Sequence, residues 1–298
     1  MRVSSSQMTR LMLNSMQDQY SKYYDIETQL STGSSINVPS DNPIGYSRVS
    51  NLTTQQNNLN QYLDNIDTAS SQLDASETQM SSMTDVIGSI RDLVVQAANG
   101  TYDSDDLADI GTQVQSLLDT LVSLSNATDS SGNYLFSGSQ SDTEPVVYDE
   151  SSGTYSYAGD DYQREISVGD GVTVASTDNL SGVFFSGSSN IFNDLSDLVT
   201  SLSSGDNSTA SSMLDTIDGY SSNLSSAIAS IGARSNQLDT LSDAHTETLT
   251  YSENLSNSIS EADYAETTVS SEEILTTLQV TQQVLSNIMG LSLFNEID

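Results

Sequence analysis

The sequence predicts a mainly α-helical protein, an elongated antiparallel helical bundle or coiled-coil rod with a small inserted β domain. Two seven-residue apolar repeats, one in each half of the chain, predict the rod, and a β-rich passage between them predicts the insert. Only 35% of the 298 residues are hydrophobic. Since globular chains usually reach roughly 45–50%, one large spherical core is not expected.

The first long helix is predicted by an apolar column at every seventh position. This column indicates the seam of a coiled coil. No proline interrupts the chain between Pro43 and Asn99. At a rise of about 1.5 Å per residue, such a helix is roughly 80 Å long. The column consists of Leu52, Leu59, Ile66, Leu73, Met80, Ile87 and Val94.

A second column with the same spacing predicts the antiparallel partner in the C-terminal half. It consists of Ile217, Leu224, Ile231 and Leu238, and His245 occupies its next position. A shorter helix is expected from Leu107 to Leu124, because Asp103, Asp105 and Asp106 at its start suit the positive end of a helix dipole. These helices supply the predicted rod core.

The β domain is predicted between Gly132 and Gly187. Four runs rich in valine, tyrosine and threonine are separated by glycine-containing turns. The chain is therefore divided into N-terminal assembly helix and loop (1–42), rod helices (43–131), β domain (132–187), rod helices (188–256) and C-terminal assembly helix (257–298). The β runs are Val146–Tyr148, Thr154–Tyr157, Arg164–Val168 and Val172–Ala175.

Both ends of the chain predict amphipathic helices, over residues 8–30 and 264–293. Helices of this size are marginally stable alone in water, and no segment is obviously available to cover their apolar stripes. We therefore interpret the stripes as surfaces that pack on other chains and order on assembly. Packing back on the same chain is the alternative.

Composition and charge exclude several functions. The formal net charge of −34 repels phosphate and anionic lipid, so neither nucleic-acid binding nor attachment to a membrane surface is expected. No cysteine and only one histidine, His245, are present, and neither a catalytic motif nor a calcium loop is recognisable. We predict no catalytic, cofactor-binding or metal site. His245 and Arg234 are interpreted as structural, with an intersubunit contact as the alternative for Arg234.

Six segments of the chain resemble the flagellin family. The resemblance extends over essentially the full length, and Pro39, Pro43 and the segment Gly132–Pro145 favour the proteins of the hook–filament junction over filament subunits. Ser34 and Ser35 depart from the family pattern, which has basic residues there. The segments are Met1–Ser4 (MRVS), Gln29–Gly33 (QLSTG), Ile36–Gly45 (INVPSDNPIG), Ile231–Asp239 (IGARSNQLD), Ile259–Glu266 (ISEADYAE) and Leu291–Asn295 (LSLFN).

The resemblance implies a structural role, not an enzymatic one: joining hook to filament by packing of the terminal helices. It implies a ring of copies of the chain itself, in contact with filament flagellin and the other junction protein. It also implies an export chaperone and an extracellular, flagellar location reached without a cleaved signal peptide. A filament subunit is the first alternative, and a helical sensor or scaffold module is the second.

Two groups of residues are expected to carry this function. The loop that positions the first helix contains Gly33, Ile36, Pro39, Asp41 and Pro43. The expected subunit interface consists of Leu11, Met16, Tyr23, Leu30, Tyr264, Leu275, Leu278, Leu285, Ile288, Leu291 and Phe294.

Overall fold

The computed structural model describes residues 5–186 and 189–294, with side chains from 7 to 186 and from 189 to 288. The chain divides into two compact units. One comprises residues up to 58 together with those from 248 onward, and the other comprises residues 59–247. The predicted fold class, a helical bundle with an inserted β domain, is confirmed.

Seven helices and four strands follow one another along the described chain. In chain order these are α1 (Ser5–Thr32), α2 (Pro43–Ala97), α3 (Ser104–Ser125), β1 (Val146–Asp149), β2 (Thr154–Tyr157), β3 (Glu165–Gly169), β4 (Val172–Ala175), α4 (Ser181–Phe184), α5 (Ile191–Ser203), α6 (Ala210–Ser260) and α7 (Tyr264–Phe294).

The core of the 59–247 unit is built from the predicted heptad columns. From Ile66 to Val94, the α2 column is at most 3% exposed, and Leu59 is 8% exposed. On α6, Ile217, Leu224, Ile231 and Leu238 are all nearly inaccessible. The two helices run antiparallel, because Arg91 binds Asp218 while Tyr62 lies beside His245. Leu52 belongs to the other unit, where it is half-buried.

Helix α3 packs antiparallel to α5, which was not predicted as a helix separate from the rod. The Asp103 carboxylate accepts hydrogen bonds from the backbone amides of Asp105 and Asp106 and caps α3. A Cβ on Gly111 would lie 3.2 Å from Leu202 Cβ, so a side chain there would require α5 to move by a few tenths of an ångström. Helix α5 buries one face that consists of Ile191, Phe192, Leu195, Leu198 and Leu202.

The inserted domain contains two antiparallel hairpins at the predicted positions. Strand β1 pairs with β2 and β3 pairs with β4, in two separate two-stranded sheets. Phe184 and Phe192 are fully buried, and their rings meet edge to face with centroids 5.8 Å apart. Phe192 also lies against Tyr155 of β2, with ring centroids 5.8 Å apart. Because two isolated strands are marginally stable, this contact supplies apolar cover that the β1–β2 hairpin needs.

Candidate assembly surface of the terminal helices

A tight connection joins the N-terminal loop to the end of α6. Gly33 has φ +71°, in the region that favours glycine, and ends α1. Its carbonyl accepts a hydrogen bond from the Ala262 amide at 3.0 Å, and the Ser35 amide donates to the Ser260 carbonyl at 2.6 Å. These backbone contacts anchor the root of α1 beside the root of α7.

The proline-containing loop is organised around Asp41 and Asn42. The Asp41 carboxylate accepts hydrogen bonds from the amides of Val38 and Asn37, and these bonds lower its pKa. Asn42 caps α2 by accepting from the Gly45 amide at 2.9 Å. Pro43 is the first residue of α2, where its missing N–H leaves no intrahelical bond unmade. In the same loop Ile36 is half-buried and Pro39 is exposed.

Helices α1 and α7 pair antiparallel along their length. The Gln282 side chain donates a hydrogen bond to the Tyr20 hydroxyl at 2.8 Å, and Ser271 lies 3.5 Å from the Glu27 carboxylate. Burial raises the pKa of the Tyr23 phenol, and the neighbouring Glu27 carboxylate adds to this rise. The expectation that both stripes lack cover within the chain is therefore wrong in part, since the two helices cover each other.

The pairing divides the expected interface residues into two classes. Leu278 is only 3% exposed, and Met16, Tyr23, Leu30, Leu285 and Ile288 are half-buried along the pairing sides. Leu11, Tyr264 and Leu275 are 61%, 53% and 38% exposed. The second class offers the larger apolar surface to another chain. Leu291 and Phe294 lie outside the residues whose side chains are described.

Several exposed apolar side chains of this unit are absent from the predicted interface. Ile44 is 70% exposed on the first turn of α2, Tyr24 is 72% exposed on α1, and Val269 and Val280 are 65% and 58% exposed on α7. Each of these side chains falls outside the stripe that its own helix uses for pairing. The sequence does not show which of two apolar stripes a helix uses.

His245 and Arg234 have structural contacts. The Nε2–H of His245 donates to the Val168 carbonyl at 2.7 Å, because a carbonyl can only accept. Arg234 donates to the Ala175 carbonyl and to Asp178, and so ties α6 to the end of β4. Within residues 5–186 and 189–294, no group of three histidine, cysteine or acidic side chains is placed to hold a metal ion. Nor does any helix there contain an apolar stretch long enough to span a bilayer.

Comparison with known proteins gives consistent matches. The family model of the bacterial flagellin N-terminal helical region matches residues 3–141. Flagellar hook-associated protein 3 of Escherichia coli is 26% identical over 315 residues, which cover 99% of both chains. A structure of a flagellar hook-associated protein from Vibrio parahaemolyticus has a TM-score of 0.69 and 29% identity, covering 74% of this chain and 100% of that one.

Flagellins match a smaller part of the sequence. Flagellin 1 of Proteus mirabilis is 28% identical over 114 residues, 38% of this chain and 31% of its own. The N-terminal helical region is thus shared with filament subunits, whereas the full-length similarity is to a hook-associated protein. Residues 3–141 therefore match the flagellin N-terminal helical region, and the chain as a whole is similar to the hook-associated proteins of the bacterial flagellum, a structural family rather than an enzyme family.

Proposed function

We propose that this chain joins the flagellar hook to the filament through its terminal helices. The observation that carries the proposal is the alignment with hook-associated protein 3 over 99% of both chains, whereas Flagellin 1 matches only 38% of this one. The paired helices α1 and α7 supply the contact surface, because large apolar side chains such as those of Leu11 and Tyr24 stay exposed after pairing.

The proposal includes four partners and a route. A ring of identical copies contacts filament flagellin at one face. At its opposite face the ring contacts the second hook-associated junction protein. An export chaperone binds the terminal segments before assembly and covers their apolar side chains. The chain passes unfolded through the flagellar export apparatus without loss of its N-terminal segment. Because the chain contains no cysteine, no disulfide has to form on this route.

Immunogold labelling separates this function from that of a filament subunit. A strain lacking its own junction protein is complemented with the epitope-tagged chain, and the tag is located by electron microscopy. A junction protein produces a narrow band between hook and filament, together with restored motility. Label along the whole filament would instead establish the filament-subunit alternative, and a chain that neither assembles nor restores motility would refute both.

A charged side chain on an exposed position tests the contact surface. We expect Leu11→Asp to keep the wild-type helical content by circular dichroism and to lower incorporation into the junction strongly. The exposed Asn14→Asp is the control, since it adds the same charge without removing an apolar side chain. Equal incorporation of the two variants would contradict the assignment of this surface.

A further inference from the structure

Two asparagine side chains bind the outer edges of the β1–β2 hairpin. At the β2 edge, the Tyr155 amide donates to Asn193 Oδ1 at 2.7 Å, and Asn193 Nδ2 donates to the Tyr155 carbonyl at 3.1 Å. At the β1 edge, the Val146 amide donates to Asn126 Oδ1 at 2.9 Å, and Asn126 Nδ2 donates to the Val146 carbonyl at 2.9 Å. Each side-chain amide thus binds both backbone groups of one strand residue.

This pattern reproduces the hydrogen bonds that a neighbouring strand would make. In an antiparallel sheet, a hydrogen-bonded pair of residues exchanges two N–H···O bonds, one in each direction. The asparagine amide has the same carbonyl acceptor and N–H donor as a peptide group. All four distances lie in the usual range of about 2.7–3.2 Å for such bonds. Asn126 and Asn193 therefore occupy positions that strand residues of another chain would take.

Both asparagines are held in place by helices that pack on each other. Asn126 caps the end of α3, and its Nδ2 also donates to the Glu144 carboxylate at 2.8 Å. Asn193 lies in the first turn of α5, where its backbone amide donates to the Asn190 side chain at 2.9 Å. Because α3 and α5 are antiparallel, the end of α3 lies beside the start of α5. The two helices thus supply one asparagine to each edge of the hairpin.

The hairpin has the composition of a strand pair that would readily join another strand. Strand β1 has the sequence VVYD and β2 has TYSY, in which most residues are β-branched or aromatic and Asp149 is the only charged one. Neither strand contains lysine or proline, which commonly protect an exposed edge. Val147 and Tyr148 are 37% and 49% exposed. Without the asparagines, each edge would present an unpaired amide and carbonyl to an extended segment.

We propose that Asn126 and Asn193 close the two edges of the β1–β2 hairpin and thereby prevent the hairpins of separate copies from pairing edge to edge. The surface that they cover fits the same hairpin of a second copy, because its edge presents the complementary amide and carbonyl. Pairing of two identical edges is isologous and ends at a dimer, whereas pairing at both edges continues from copy to copy. The proposal concerns the isolated chain and does not depend on the proposed function.

Removal of the asparagines from the purified full-length chain tests the proposal. Asn193→Ala frees the β2 edge and should produce a species of about twice the wild-type mass, because one open edge pairs only once. Asn126→Ala should do the same through the β1 edge. The double variant has two open edges and should form larger multimers. Size-exclusion chromatography with light scattering, over a range of chain concentrations, measures these masses.

The matched control is Asn207→Ala. Asn207 is also half-buried and also donates to a backbone carbonyl, that of Ala97 at 2.9 Å, but this carbonyl belongs to the end of a helix and not to a strand. The control should therefore keep the wild-type mass. Wild-type mass for Asn193→Ala and Asn126→Ala, or the same gain in mass for Asn207→Ala, would overturn the proposal.

Single cysteines locate the new contact, since the natural chain has none. If two β2 edges pair about Tyr155, Thr154 of one copy opposes Ser156 of the other with Cα atoms about 4.5 Å apart, which a disulfide bond accepts. Thr154→Cys and Ser156→Cys chains, both containing Asn193→Ala, are mixed and oxidised. We expect a cross-linked dimer that is lost when Asn193 is restored. Equal cross-linking in both backgrounds, or oligomers without this cross-link, would contradict the proposal.

Hydrogen exchange on the wild-type chain needs no variant and still applies if a substitution prevents folding. The amides of Val146 and Tyr155 should exchange slowly, because an asparagine binds each of them. Tyr148 provides the internal comparison: it opposes Tyr155 in the hairpin, so its amide also points outward, but no side chain of the described residues binds it. Exchange at Val146 and Tyr155 as fast as at Tyr148 would show that the edges are open and would overturn the proposal.

Discussion

The Arg234 guanidinium on α6 binds both carboxylate oxygens of Asp178, at 2.6 and 2.8 Å. The side chains are only 14% and 10% exposed, and a second guanidinium nitrogen donates to the Ala175 carbonyl. Burial raises the pKa of Asp178, and the neighbouring Arg234 charge opposes that rise. This ion pair fixes the segment after β4 against a rod helix, which favours the fold-specifying interpretation of Arg234.

We predict that Asp178→Asn destabilises the protein by about 3–5 kcal/mol, because the variant leaves a buried guanidinium without its counter-charge. Urea unfolding followed by circular dichroism measures the change. Asp218→Asn is the control, since it removes an exposed ion pair with Arg91 that contributes at most about 1 kcal/mol. A similar loss in the two variants would show that Arg234 finds another partner.

The close approach of α3 and α5 should make Gly111 intolerant of larger residues. Gly111→Leu is expected to cost at least about 1–3 kcal/mol, because the added side chain would have to displace α5. By contrast, Gly88 has open space around its missing side chain. Gly88→Leu should therefore stabilise α2 by up to about 1 kcal/mol through helix propensity. Thermal unfolding of both variants tests the contrast, and destabilisation by both would contradict it.

Acid should loosen the Gly33–Pro43 loop through Asp41. Hydrogen bonds from Val38 and Asn37 lower the pKa of this carboxylate in the folded chain. Their stabilising effect is therefore complete above the ordinary aspartate pKa of about 3.9 and is lost as the pH falls through the lower folded value. The NMR shifts of the Asn37 and Val38 amides should report this titration. Amide shifts with a midpoint at or above the ordinary value would be inconsistent with it.

The pairing of α1 with α7 should depend on Leu278. We expect Leu278→Ala to destabilise the pair by about 2 kcal/mol and to speed hydrogen exchange at amides of both helices. Leu275→Ala changes a 38% exposed side chain on the same helix and should stay within about 0.5 kcal/mol of wild type. Unchanged exchange in Leu278→Ala would mean that other contacts hold the pair.

Periodicity predicts the long helices and strands well, because their apolar residues recur over many turns or alternate within short runs. Helix α2 ends two residues before the expected Asn99, and all four β runs lie where they were expected. Helix α5 was not separated from the rod, since it is short and its Asn190 cap follows a Ser/Gly-rich passage that obscures its start. Helix α6 continues to Ser260, whereas the rod helices were expected to end at residue 256, and the five segment boundaries stay predictions.

The assembly surface was less predictable than the fold. Leu278 and Leu11 are both leucines at periodic apolar positions of a terminal helix. Leu278 is nevertheless buried by the partner helix, whereas Leu11 is exposed. Which side of an amphipathic helix is covered depends on a partner distant in the sequence. The sequence contains both stripes but no information on their use.

The pairing of the first helix with the last has a kinetic consequence. Tyr20 and Gln282 lie 262 positions apart in the chain. Contacts between such distant positions close a very long loop and form slowly, so local helices are expected to fold earlier. During synthesis or passage through a narrow channel, α1 emerges well before α7. Until α7 has emerged, α1 has no partner helix to pair with. The apolar side chains of α1 are thus accessible to other molecules until the C-terminal end of the polypeptide has emerged.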